Sequence, residues 1–164
     1  MSTHVKFRSR LAIVAAIVLG TAPSAQGTTA TTTIAVSATV LSFCSISALP
    51  LAFGNYSGSL LSASTTVSVT CTVGTTFNIG IDAGLGTGAS VTERKMQSGA
   101  NTLSYGLYSN AGATTVIGST IGTNTISNTG TGSSQTITVY GQVPAAQAVA
   151  PGVYTDTVTV TITY

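Results

Sequence analysis

The chain has 164 residues, is 43% hydrophobic and only 5% charged, and carries a formal net charge of +2. Three of its five basic residues, Lys6, Arg8 and Arg10, fall in the first ten positions; beyond residue 27, Arg94 and Lys95 stand against Asp82, Glu93 and Asp156, a net charge of −1. That leaves no basic patch able to neutralise several phosphates, so nucleic acid is excluded as an expected partner.

Residues 1–27 read as a secretory signal peptide. The three basic residues precede the unbroken apolar run Leu11–Leu19, and Gly20 and Pro23 then lead to the small residues Ala25 and Gly27. Cleavage is expected after Gly27, with Ala25 as the alternative. The apolar run falls well short of the roughly 20 residues a membrane-crossing helix needs, so the exported chain is expected not to span a membrane. What remains, residues 28–164, suits one domain. It is rich in Thr, Val, Ser, Gly and Ala and nearly empty of Lys and Glu, a composition that favours half-buried strands over helices.

Period-two alternation marks strands with one buried face. The first segment places Ile34, Val36, Ala38 and Val40 on one side. The second runs through Val67, Val69, Cys71 and Val73, the third through Phe77, Ile79 and Ile81, and the fourth through Leu103, Tyr105 and Leu107. Ile137, Val139 and Val143 mark a fifth. The clearest is the last, with Val158, Val160, Ile162 and Tyr164 alternating against threonines. Turn signals separate them at Gly54-Asn55, Gly84–Gly88, Asn110-Ala111-Gly112, Asn128–Gly132 and Pro151-Gly152. Gly118–Ser134 is expected to be a long surface loop. Short strands at this spacing predict an all-β, immunoglobulin-like β-sandwich. Its alternation continues to Tyr164, and an alternating segment precedes the first cysteine, so the sandwich is expected to lack its final strand and carry a spare one at the N-terminus.

Cys44 and Cys71 are expected to pair in an exported chain. The bond would close a loop of 28 residues and stabilise by about 3–4 kcal/mol on the chain-entropy estimate. Catalysis is not expected. The one histidine, His4, lies in the signal segment, which removes the usual general base and the commonest metal ligand. Asp82, Glu93 and Asp156 read as solvated turn carboxylates, and Gly84–Gly88 lacks the GK[ST] of a phosphate loop. No catalytic residue, cofactor or metal site is therefore assigned.

Several short pieces resemble one known family in order along the chain. They are Phe43-Cys44, Phe53-Gly54-Asn55-Tyr56, Val69-Thr70-Cys71-Thr72, Arg94-Lys95-Met96, Leu103–Tyr108, Thr138-Val139-Tyr140-Gly141 and the ending Gly152–Tyr164. The family is that of the spore coat protein U domain, which includes subunits of Csu-type, or archaic, chaperone–usher pili. One departure is Ile117-Gly118 where many relatives have Trp-Gly. The resemblance implies a sandwich completed by donor-strand exchange, first with a periplasmic chaperone and then, at an outer-membrane usher, with the next subunit during self-polymerisation. Residues 28–40 are then the donor segment, with Ile34, Val36, Ala38 and Val40 as its inserting side chains, and residues 41–164 the pilin-like domain. Val158, Val160, Ile162 and Tyr164 would flank the groove. The polymer would be a pilus, fibril or coat serving adhesion, biofilm formation or protection. Two readings compete: a secreted adhesive module acting as tip or adaptor, and a small outer-membrane barrel, against which the strands lack aromatic girdles.

Overall fold

A computed structural model of the chain describes residues 24–164; most of the signal segment lies outside them. Backbone contacts divide the chain into two units, Met1–Ala38 and Thr39–Tyr164. In the first, residues 24–38 form no strand, and Ile34 and Val36 are 85% and 89% exposed.

The second unit has no helix among the described residues and eight strands: β1 (Cys44–Ala48), β2 (Leu61–Cys71), β3 (Thr76–Ile81), β4 (Arg94–Ser98), β5 (Asn101–Tyr108), β6 (Ile126–Thr129), β7 (Gln135–Val143) and β8 (Val160–Thr163). They form a five-stranded sheet in the order β1-β2-β7-β5-β4 and a three-stranded sheet in the order β6-β3-β8. Every pairing is antiparallel. This is an immunoglobulin-like sandwich, and the alternating apolar residues build its core. Val67, Val69, Cys71, Leu103, Tyr105, Leu107, Val139 and Val143 point inward from the larger sheet to meet Phe77, Ile79 and Ile81 from the smaller. Ile117 packs among them at 0% exposure. Cys44 and Cys71 are joined by a disulfide that ties β1 to β2.

Two expectations about the strands need correction. The domain's own first strand is Cys44–Ala48, its register fixed by the disulfide and β2, and the alternating Ile34–Val40 segment forms no strand within the chain. Val73 is exposed beyond the end of β2, since the chain turns at Thr72–Thr75 through Gly74 at φ 81°. Gly118–Ser134 is not wholly a loop: Ile126–Thr129 pairs with β3 as β6. β4 also went unanticipated, because its sequence, Arg-Lys-Met-Gln-Ser, has no apolar alternation.

Where β7 ends, a side chain completes the sheet. Gly106 lies opposite Gln142, so the next rung would set Ser104 against Pro144, which has no N–H to donate. The Gln147 carboxamide takes that rung. Its Nε2 donates to the Ser104 and Pro144 carbonyls (2.9 and 3.2 Å), and its Oε1 accepts from the Ser104 N–H (2.8 Å).

A candidate strand-acceptor groove

Of the four edge strands, β1, β4, β6 and β8, β1 and β8 border the same cavity, and neither has a strand partner on its outer side among the described residues. Their hydrogen-bond phase follows from the ladders. The Asp82 N–H donates to the Thr159 carbonyl (3.1 Å), and the β3–β8 register then makes Gly80–Thr161 and Asn78–Thr163 the bonded pairs. Val160 and Ile162 lie between those pairs, so their N–H and C=O point away from β3. The phase is confirmed on the other strand, where the Ile81 N–H donates outward to the Gly118 carbonyl (3.0 Å). On β1, Phe43 bonds Thr72 and Leu49 bonds Thr66, which turns the main-chain groups of Cys44, Ile46 and Ala48 away from β2. Both free edges therefore present main-chain donors and acceptors next to apolar side chains.

Between them lies an open cavity of about 580 Å³. Ala48–Leu51 and Phe53 line one side and Thr155–Val158 with Val160 the other; Val67, Ile81, Leu107 and Val139 form the floor. Leu51, Phe53, Met96 and Tyr154 also line a second cavity of about 610 Å³, which continues to Tyr56, Leu61, Val143 and Val149. The two adjoin through these shared residues as one trough, apolar at the first cavity and of mixed polarity at the second. Gly141 lies directly beneath it: a Cβ there would come 2.6 Å from Leu51 Cδ2 and 2.7 Å from Phe53 Cζ, so both lining side chains would have to shift.

The β8 side of the trough is held in place by polar contacts. Thr155 exchanges two main-chain bonds with Gln97 of β4 (2.8 and 3.0 Å), so the segment starts on the larger sheet and crosses to the smaller one as β8. Asp156 accepts from the Tyr105 hydroxyl (2.7 Å) and from the Leu85 and Thr157 N–H groups (2.9 and 2.8 Å). Asp82 accepts from the N–H groups of Thr159 (2.8 Å) and Gly84 (3.0 Å). Burial raises the Asp82 carboxyl, but the Thr159 and Gly84 bonds and the nearby Arg94 charge outweigh it and hold it below the usual carboxylate range. Burial, and then the bond to Asp156, pushes the Tyr105 phenol well above its ordinary value. Arg94 is 0% exposed. Its guanidinium donates to the carbonyls of Asp82, Val91, Ile81 and Ile117 at 2.8–2.9 Å, while burial lowers its pKa against the pull of Tyr105 and Asp82.

Asp82 and Asp156 are thus fastenings for the groove wall, a correction to their reading as solvated turn carboxylates. Period-two reasoning could not see this, because their partners Thr159, Leu85 and Tyr105 are set by tertiary approach. Glu93 accepts from the Ser104 hydroxyl (2.9 Å) at the exposed edge of β4. Of the residues expected to flank the groove, Val160 lines the cavity, Val158 joins it one turn of the alternation earlier, and Ile162 packs on the core beyond. Tyr164 is exposed. Ile34, Val36, Ala38 and Val40 are exposed and lie in no strand. Leu49, Leu51, Phe53 and Tyr154, major parts of the lining, carried no alternation signal because they sit outside assigned strands. Among the described residues no group of three or more metal-ligating side chains comes together.

The sequence matches the family model of the Spore Coat Protein U domain over residues 30–161. It is 36% identical over 171 aligned residues to Protein U of Myxococcus xanthus, covering 93% of this chain and 95% of that protein. Among solved structures it is similar to a chain in the CsuC–CsuE chaperone–tip adhesion subunit pre-assembly complex, from the archaic chaperone–usher Csu pili of Acinetobacter baumannii. That likeness has a TM-score of 0.57 at 24% identity, over 77% of this chain and 40% of the other. The chain thus spans less than half the length of that structural neighbour, and the likeness is one of fold.

Proposed function

This chain belongs to the Spore Coat Protein U domain family, and from that premise we propose that it is a structural, non-enzymatic subunit of a surface polymer assembled by strand addition. Residues 1–27 direct export, and the periplasm is where a chaperone strand first occupies the trough. At the outer membrane, residues 28–40 of the next copy replace that strand, with Ile34, Val36, Ala38 and Val40 entering the trough and Val158, Val160 and Ile162 as its β8 wall. The polymer is a chaperone–usher pilus, fibril or coat layer that serves attachment or protection.

The observation that carries this reading is the trough itself: two unpaired edges, β1 and β8, facing one apolar cavity. An added strand would bond to both edges while its alternate side chains fill the lining. An empty trough would leave unpaired main-chain groups beside apolar surface, a combination that drives aggregation, so a protecting partner is expected in transit.

The test is a thermal melt of residues 28–164 against the same chain with a copy of Thr28–Ser42 appended after Tyr164 through a flexible linker. A large rise in melting temperature with loss of multimers is expected. Equal melting temperatures and unchanged multimers would mean the domain needs no added strand.

A further inference from the structure

Leu41 and Phe43 are 76% and 64% exposed, although both lie immediately before a disulfide-anchored strand. They also shift the apolar phase. Ile34, Val36, Ala38 and Val40 occupy even positions, whereas Leu41 and Phe43 are odd. Because Cys44 and Ile46 turn inward on β1, Phe43 belongs with Ser45 and Ser47 on the outer face of the larger sheet. Exposed as the two side chains are, their main chain is held by Thr72. The Thr72 N–H donates to the Phe43 carbonyl (2.9 Å), the Phe43 N–H donates to Thr72 Oγ1 (3.2 Å), and Thr72 Oγ1 lies 3.4 Å from the Leu41 carbonyl that accepts from it.

This clamp leaves almost no slack. Adjacent Cα atoms are about 3.8 Å apart. If Val40 occupies the trough of one copy, the next residue is already fastened to Thr72 of the other. Even with Ala38 as the last inserted residue, the chain from Ala38 to Leu41 spans at most about 11 Å, comparable to the separation of two packed sheets. Consecutive copies must therefore abut. No acidic or basic residue lies between Arg10 and Asp82, so the segment leading into the junction brings no side-chain charge of its own.

We infer that Leu41 and Phe43 form a second contact between consecutive copies, docking on the neighbouring copy beside the mouth of its trough and stiffening each junction of the polymer. The inference rests on the strand-addition reading. The occupant is a second copy of this chain because the peptide carrying Leu41 and Phe43 is the one that enters that copy, which makes their docking effectively intramolecular.

The test compares fibres assembled in cells from the full-length parent, from Phe43→Ser and Leu41→Ser, and from a chain with Gly-Ser-Gly-Ser inserted between Val40 and Leu41. Fibre bending in electron micrographs and resistance to denaturant are measured. The insertion should lower the persistence length several-fold, since a Gly/Ser spacer behaves as a flexible coil. The two serine variants should soften the fibres and lower the denaturant concentration that dissociates them. Melts of each variant with its own appended donor strand should match the parent's, which separates junction effects from folding. A serine variant that melts lower is set aside, and the other one decides. Fibres as stiff and resistant as the parent's from the serine variants would overturn the apolar contact, even if the insertion softened them. Unchanged fibres after deletion of Thr28–Ser37 would instead bring down the strand-addition reading, and this inference with it.

Discussion

Arg94 is a buried cation whose hydrogen-bonding capacity goes to main-chain carbonyls from three separate stretches: Ile81 and Asp82, Val91, and Ile117. A planar guanidinium can do this where an ammonium cannot, because its donors are fixed in a fork. Replacing it with leucine strands several buried acceptors, each worth about 1–3 kcal/mol when left unpaired. Arg94→Leu should therefore lose at least about 3 kcal/mol of stability, and Arg94→Lys should recover only part, both measured by urea unfolding. Gly84 shows the same dependence on distant partners. It sits at φ 81°, and a Cβ there would lie 2.2 Å from Asp156 Oδ2. The sequence marks a glycine-rich turn at this place but not the carboxylate that closes over it. The sequence shows Arg94 only as one of two cations beyond residue 27, because nothing local distinguishes a solvated arginine from one buried against distant carbonyls.

At the scale of elements, the strands that alternate cleanly are the ones that read correctly: β2, β3, β5, β7 and the run into β8. Their inward residues are buried, or half-buried in β8, because one face of each strand lies on the core, so side-chain chemistry records the fold locally. β1, β4 and β6 escape such reading. Each is four or five residues long, and each is defined by the neighbour it pairs with. The end of β7 shows how a side chain can supply what an element lacks. Gln147 should be sensitive to replacement out of proportion to its position in a loop. Gln147→Leu leaves the Ser104 N–H and carbonyl without their partner and should cost about 1–3 kcal/mol. Hydrogen exchange should also quicken at Ser104 in that variant, and an unchanged Ser104 rate would show that the rung is held by something else.

For the whole molecule, the disulfide has two effects. It restricts the unfolded chain, and it holds β1, one wall of the trough, against β2. Replacing both cysteines by alanine should destabilise the domain by about 3–4 kcal/mol on the loop-entropy estimate. Appending the donor strand to that double variant should restore much of the melting temperature, because the added strand would bond to β1 from its free side. Failure of the appended strand to rescue would mean β1 does not flank the acceptor site.

The sequence by itself determined the all-β class, the inward-facing set on the longer strands and the pair of cysteines available to bond. These are local or compositional properties: a strand buried on one face must alternate, and two cysteines allow one intramolecular pairing. Only the tertiary structure decided which edges stay unpaired, that Leu51, Phe53 and Tyr154 line the trough, and that Asp82, Asp156 and Arg94 fasten its wall. Those facts depend on which residues, far apart along the chain, come within hydrogen-bonding or packing distance, and no local periodicity encodes that.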